Sequence, residues 1–402
     1  MKKIISICIV TFTLLTSYLT AQETEKKADD KAYVFTITKE IPHTAVENQY
    51  RSGTCWSFAG IGFIEAEILR ISGKSYDLSE MYIVRHAYSD KAKKYLRLHG
   101  SLNLASGGVM NTVKTMTKRY GIMPQQAYSG LVIGEEKHIH GEMDDVLKAY
   151  TDAVMKNGNR KLTPVWSQGF DALLDAYLGE VPSEFEVDGK KYSAESFMQS
   201  TGFKPDDYVD LGSYTDKDLY KPFAIEIPDN WLWDLTYNLT LDELMQSLDY
   251  ALDQGYTVAW GADVSEKGFS WKNGVAIVPE ENMKDLTGTE KEKWEALTAE
   301  EKKKSRFEFK EIVKERIITP EIRQLAYDNY ETTDDHSMLI VGKAVDQKGN
   351  RYYKIKNSWG TEDHLYAGYF YASEAYMRYK TINFFMHKDA VPGSILKKLG
   401  LK

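Results

Sequence analysis

Two cysteines occur in 402 residues, and the second, Cys55, stands in the run Gln49-Tyr-Arg-Ser-Gly-Thr-Cys55-Trp56-Ser-Phe. Far downstream come Asp334-Asp335-His336 and Lys356-Asn357-Ser358-Trp359-Gly360. A lone cysteine is most often a small buried hydrophobe, and a lone histidine is usually a satisfied core or surface residue. Their conjunction with Gln49 six positions before the thiol and with Asn357 after the histidine carries more. A thiol attacks as the thiolate, so the chemistry needs a base for its proton and a dipole that favours the anion. His336 supplies the base, and Asn357 fixes its tautomer. The start of a helix supplies the dipole. The Gln49 amide and the Cys55 backbone N–H are placed to receive the oxyanion of a tetrahedral intermediate. The fold must therefore bring residues 49–55 against residues 336 and 357.

Residues 1–21 read as a cleaved secretory signal: Lys2 and Lys3, an apolar stretch from Ile4 to Leu19, then small residues ending at Ala21. The apolar run is short and broken by Thr and Ser, so a retained membrane anchor is not expected. Cys8 lies inside that run, which leaves Cys55 as the sole thiol of the mature chain, unable to form an internal disulfide. An unpaired thiol in an exported protein is a candidate reactive one. The net charge is −8, and loss of Lys2 and Lys3 makes the mature form more acidic still. No nucleic-acid partner is expected.

Along the chain, residues 22–31 are charged and apolar-poor, and 33–38 alternate like a strand. A helix apolar on most sides starts at Cys55 and belongs at the centre of a lobe. Its positive end favours a thiolate, which is expected to form in the acidic range. Further helices are expected near 79–87 and 108–120. A run of helices is expected over 134–253, with 241–252 opened by the capping box Thr240/Glu243. Strands follow at 256–264, 274–278, 337–345 and 352–357. A charged stretch, 280–314, interrupts them as a solvated helical excursion. His138 and His140 alternate as on a strand and are expected at the surface, with no further ligands nearby to complete a metal set. Asn238-Leu-Thr240 fits a glycosylation sequon, but the helix cap explains Thr240 more economically.

These motifs resemble the papain superfamily of cysteine peptidases, and more closely its bleomycin hydrolase and aminopeptidase C branch. Three features point to that branch. One is the run from Thr332 through His336 to Gly360. The second is a Cys55-to-His336 separation far beyond the roughly 130–150 residues of papain and the cathepsins. The third is Ser106-Gly107-Gly108 followed by Tyr120-Gly121-Ile-Met-Pro124. The resemblance implies an α+β, papain-like two-lobe fold with large helical insertions. Residues 22–40 form a leader, 41–133 the helical lobe with the nucleophile and 134–253 a helical insertion. Residues 254–402 form the β-rich lobe with His336, Asn357 and a C-terminal tail.

The resemblance also assigns roles: Cys55 nucleophile, His336 base then acid, Asn357 orienter and Gln49 oxyanion donor. Gly107 and Gly108 admit the substrate backbone, and Trp359 shields the His336–Asn357 bond. Peptides are the implied substrates, with no metal or other cofactor, and a homo-oligomer, a hexamer in the branch, is implied. Papain-type enzymes carry a second cysteine just before the nucleophile. Here Ser52-Gly53-Thr54 stands in its place, which removes a disulfide and not the chemistry. The activity implied is aminopeptidase cleavage of short peptides through a thioester. An endopeptidase of the same mechanism and a non-catalytic binding protein of the same fold remain alternatives. In the branch, the C-terminal carboxylate blocks the cleft and meets the substrate's α-ammonium. Residues 387–402 are within reach of the cleft on this reading, although Lys397, Lys398 and Lys402 would repel an ammonium.

Overall fold

The computed structural model describes residues 32–158, 161–280, 296–298, 300–301, 304 and 306–402. The expected signal segment, the charged leader to residue 31 and most of the 280–314 excursion lie outside the described residues. No helix among the described residues is long and apolar enough to cross a membrane.

The first strand, β1 (Phe35–Glu40), precedes the nucleophile helix Cys55–Ser72 and the helices Glu80–Arg97, Met110–Tyr120, Gly141–Met155 and Val165–Leu178. A hairpin, β2 (Phe185–Val187) and β3 (Lys190–Tyr192), leads through the helix Ala194–Thr201 to β4 (Tyr208–Gly212), β5 (Pro222–Ala224) and β6 (Leu235–Asn238). After the helix Leu241–Asp253 come β7 (Val258–Ala262), β8 (Phe269–Ser270) and β9 (Val275–Ala276). The last strands are β10 (His336–Asp346), β11 (Arg351–Lys356), β12 (Tyr369–Ser373) and β13 (Thr381–His387).

Eleven of these strands join one sheet in the order β5-β6-β4-β13-β7-β10-β11-β12-β9-β8, with β1 paired to β10. The expectation for residues 134–253 needs correcting here. Its first part is helical, but β4, β5 and β6 extend the main sheet through β13, and the helix Leu241–Asp253 packs on that sheet. The apolar alternation of these strands is short and lies between turns, which made it hard to distinguish from helical texture.

Strand alternation divides the core between the two sheet faces. Leu339, Val341, Ala259 and Phe385 face the nucleophile helix and the helices around it. Met338, Ile340, Val258, Trp260, Phe384 and Met386 face the helix Leu241–Asp253. That second helix carries the expected capping box. Thr240 Oγ1 accepts from the Glu243 N–H at 3.2 Å, and the Glu243 carboxylate accepts from the Thr240 N–H at 3.3 Å. Asn238 is buried, its Nδ2 donating to the carbonyls of Tyr214 and Lys217, so the sequon is consumed by the fold.

The C-terminal residues settle on this second face. Ile395, Leu396 and Leu399 pack into its core, and Lys398 Nζ lies 2.6 Å from Glu243 Oε1. Residues 388–402 therefore pack on the face of the sheet opposite the nucleophile helix. They pack away from the cleft that lay within their reach, in keeping with the objection raised by Lys397, Lys398 and Lys402: the apolar side of the short helix Gly393–Lys398 needs burial, and its lysines find carboxylate and solvent there.

Candidate active site

The nucleophile helix starts at Cys55 without a side-chain cap from Thr54, whose carbonyl instead accepts from the Ser57 N–H at 2.9 Å, and the positive end of the helix lies at the thiol. It is an interior helix. Residues Trp56 to Ile68 are all buried, as the all-round apolar pattern required. The turn before it depends on Gly53, whose φ of +66° and contact with the Ser106 side chain leave no room for a Cβ. Trp56 then ties the helix to the glycine loop. Its Nε1 donates to Ser106 O at 2.8 Å, and its ring fills the space above Gly108.

The opposing lobe supplies the base from the first residue of β10. His336 Nε2 lies 2.7 Å from Asn357 Oδ1. Because the Ser358 N–H also donates to that oxygen at 2.8 Å, the Asn357 amide is held with its oxygen toward the ring. Asn357 Oδ1 therefore accepts a proton carried on Nε2, and Nδ1 is left as the basic nitrogen. Trp359 stacks on the imidazole at 4.8 Å with 30° between the rings, and Trp271 packs edge-on against Trp359. This apolar cover lowers the dielectric around the His336–Asn357 bond.

The Cys55 thiol faces the start of β10, where the backbone N–H of Ser337, the residue after the base, favours its anion. Gln49 reaches the same point from the first lobe. Its backbone N–H donates to Ser358 O at 2.8 Å, and its Oε1 accepts from Ser358 Oγ at 2.6 Å. That bond leaves the Gln49 Nε2 protons to face an oxyanion. The structure thus brings together Cys55, His336, Asn357, Gln49, Gly107, Gly108 and Trp359. Ser358, unassigned from sequence although it lies within the Asn-Ser-Trp-Gly run, is what orients both amides.

The electrostatics of burial act against one expectation. Burial pushes the Cys55 thiol up to about 12, and the carboxylates of Asp334 and Asp229 push in the same direction. Burial pushes the His336 imidazole down to about 4, opposed by its bond to Asn357. Both shifts favour the neutral thiol and the neutral imidazole, the direction opposite to a thiolate formed in the acidic range. The N–H groups of Ser337 and Trp56 act the other way but are outweighed by desolvation.

His138 and His140 are also placed differently from expectation. Both are buried, because residue 139 bridges to Arg51 and draws them in beside Phe58 of the nucleophile helix. Among the described residues, no group of three or more His, Cys, Asp or Glu side chains is placed to hold a metal ion.

A thiol at a helix start, an imidazole held by an asparagine oxygen and a glutamine amide across two lobes define a papain-type cysteine peptidase. Comparison with known proteins agrees. The family "Papain family cysteine protease" matches residues 35–163, and the "Peptidase C1-like family" matches residues 302–401. Aminopeptidase C of Streptococcus thermophilus is 22% identical, covering 91% of this chain and 85% of its own. Aminopeptidase C of Listeria monocytogenes is 23% identical, covering 90% and 84%. The crystal structure of PepW from Lactobacillus rhamnosis HN001 superposes with a TM-score of 0.69 at 18% identity, covering 99% of this chain and 95% of that one. The chain is thus similar to papain-type cysteine peptidases at both ends of the described structure and to aminopeptidase C over most of its length.

Proposed function

We propose that this protein is an exported cysteine aminopeptidase acting on short peptides. The observation that carries the chemistry is the 2.7 Å contact of His336 Nε2 with Asn357 Oδ1 at the start of β10, the strand that the Cys55 thiol faces. Peptide binding excludes water. His336 Nδ1 takes the Cys55 proton as the sulfur attacks the carbonyl carbon, and the oxyanion receives the Gln49 amide and the Cys55 N–H. Collapse of the tetrahedral adduct breaks the C–N bond, and His336 returns the proton to the leaving amine. Water, deprotonated by the same imidazole, then hydrolyses the thioester.

The exopeptidase part is supported by the aminopeptidase C relatives, which cover most of the chain. Export is supported by the pattern of residues 1–21 and by a lone thiol in the remainder. Assembly into a ring of subunits is part of the same proposal, to be checked by light scattering. The test of specificity compares an amino-acyl fluorogenic substrate with its N-acetylated form. An aminopeptidase hydrolyses the free form at least 10-fold faster in kcat/KM. Equal rates would leave the endopeptidase reading.

A further inference from the structure

Aminopeptidase specificity needs a negative group facing the substrate's α-ammonium. The resemblance implies the C-terminal carboxylate for this task, but residues 388–402 are on the far face of the sheet here. Two other carboxylates lie beside the nucleophile. We propose that Asp229 and Asp334 form the recognition site for the α-ammonium, an inference that rests on the aminopeptidase reading.

Asp229 comes from the loop between β5 and β6, far from Cys55 in sequence. Its carboxylate occupies the space where a side chain at Gly107 would stand, so Gly107 is required to admit it. The loop is held firmly. Asn230 Nδ2 donates to the carbonyls of Ile225 and Asp234, each at 3.1 Å, and Trp231 is buried. Asp229 Oδ1 accepts from Asn103 Nδ2 at 3.2 Å. The cation acting on it is Lys91, whose ammonium is committed to the carbonyls of Ala105, at 2.7 Å, and Gly107. Lys91 thus fixes the glycine loop and leaves the carboxylate incompletely neutralised.

Asp334 arrives from the opposite lobe, two residues before His336. Its neighbour Asp335 is used structurally, accepting from the N–H groups of Val264 at 2.9 Å and Ser265 at 3.1 Å. Asp334 has no such use. Its Oδ2 is shut off from solvent and has no hydrogen-bond partner. A buried carboxylate oxygen without a donor is costly, and such a group calls for an explanation. Asp229 stands over Gly107 and Asp334 stands two residues before His336, so the two carboxyls flank the cleft from its two lobes, and both act electrostatically on the Cys55 thiol.

The orientation of a bound peptide follows from the base. His336 delivers its proton to the leaving amine, so the departing part lies on the Trp359 side. The acyl part then runs toward Gly107, where an ammonium one or two residues along meets Asp229 and Asp334. An ammonium brings several N–H donors, enough for both carboxylates. Burial pushes both carboxyls up, Asp334 well above the ordinary carboxylate range with repulsion from Asp229 and Asp335 adding to it, and an ammonium between them favours their ionised forms. A blocked terminus supplies neither donor nor charge.

The test uses the full-length protein and its near-isosteric variants Asp229→Asn, Asp334→Asn and the double variant. The expected result is a wild-type preference for free over N-acetylated substrate of at least 10-fold in kcat/KM. Each single variant lowers that preference several-fold, mainly through KM for the free substrate, and the double variant brings it close to one. A binding measurement without turnover uses leucinol, which should protect Cys55 from iodoacetamide in the wild type but not in the double variant. N-acetyl-leucinol should protect neither. A preference retained in the double variant would overturn the inference and leave the aminopeptidase reading intact. Absence of any preference in the wild type would overturn both.

Discussion

On one face of the sheet, Leu339 and Val341 pack against the helix that begins with Cys55. On the other, Met338 and Ile340 pack against Leu241–Asp253 and the C-terminal residues. Both faces are apolar at the strands, yet they differ in what else is buried there. The nucleophile helix buries Glu65 and Glu67, with Glu80 and Lys356 close by, and burial raises Glu65 to about 7 and depresses the Lys356 ammonium. Glu65 is kept in place by the Leu78 N–H at 2.8 Å and the Thr44 hydroxyl at 2.5 Å. The face under Leu241–Asp253 has a core of Leu, Met, Val, Ile and aromatic side chains with Ser247 among them, and the charged groups of its helix lie at the cap and rim. The first face accepts the desolvation of charged groups to position a reaction. The second supplies stability and can be altered without reaching the chemistry.

The sharpest way to break this comparison is to move one residue on each face. Gln49→Ala removes an oxyanion donor, and kcat should fall by about 10²-fold or more with KM little changed. Thermal unfolding of that variant should stay near that of the wild type. A change confined to KM would remove Gln49 from the oxyanion site. Leu248→Ala does the reverse. It empties a fully buried position, so stability should fall by about 2–5 kcal/mol. kcat/KM per folded molecule should be retained at temperatures where the variant remains folded. A large loss of kcat without a loss of stability would show that the two faces are coupled.

The dryness of the nucleophile face also sets a pH dependence. Burial lowers His336 to about 4, so the neutral base persists well below the ordinary imidazole value. Activity is lost only when pH falls through the lowered value and the ring takes a proton in the resting site. The acid limb of kcat/KM on a blocked substrate should therefore lie below pH 6.5, toward 4. A limb at 6.5 would mean that the imidazole is solvated. The smallest effect belongs to the cap of the second face. Thr240→Ala should cost about 0.5–2 kcal/mol in a denaturant titration, with kcat unchanged.

Much of the site was legible because its residues lie in short local runs with recognisable chemistry. Gln49 and Cys55 share one turn, and Asn357, Ser358 and Trp359 are consecutive. The helix Leu241–Asp253 was legible through its capping box and apolar stripe, both local signals. Other features depend on distant packing. His138 and His140 are buried only because residue 139 bridges to Arg51, a pairing of segments nearly ninety positions apart. The strands β4 to β6 are three to five residues long and become a sheet edge only through β13. Asp229 has no motif around it. Its placement over Gly107 comes from the route of a loop, and the path of residues 388–402 was decided by which apolar face stood open to cover Ile395 and Leu396.

The central claim is that Cys55 is the nucleophile on a framework that does not depend on it for folding. Cys55→Ala should be assayed on an amino-acyl fluorogenic substrate alongside thermal unfolding of the same preparation. The account predicts hydrolysis at background with an unfolding midpoint close to that of the wild type. Turnover retained by the folded variant would contradict it.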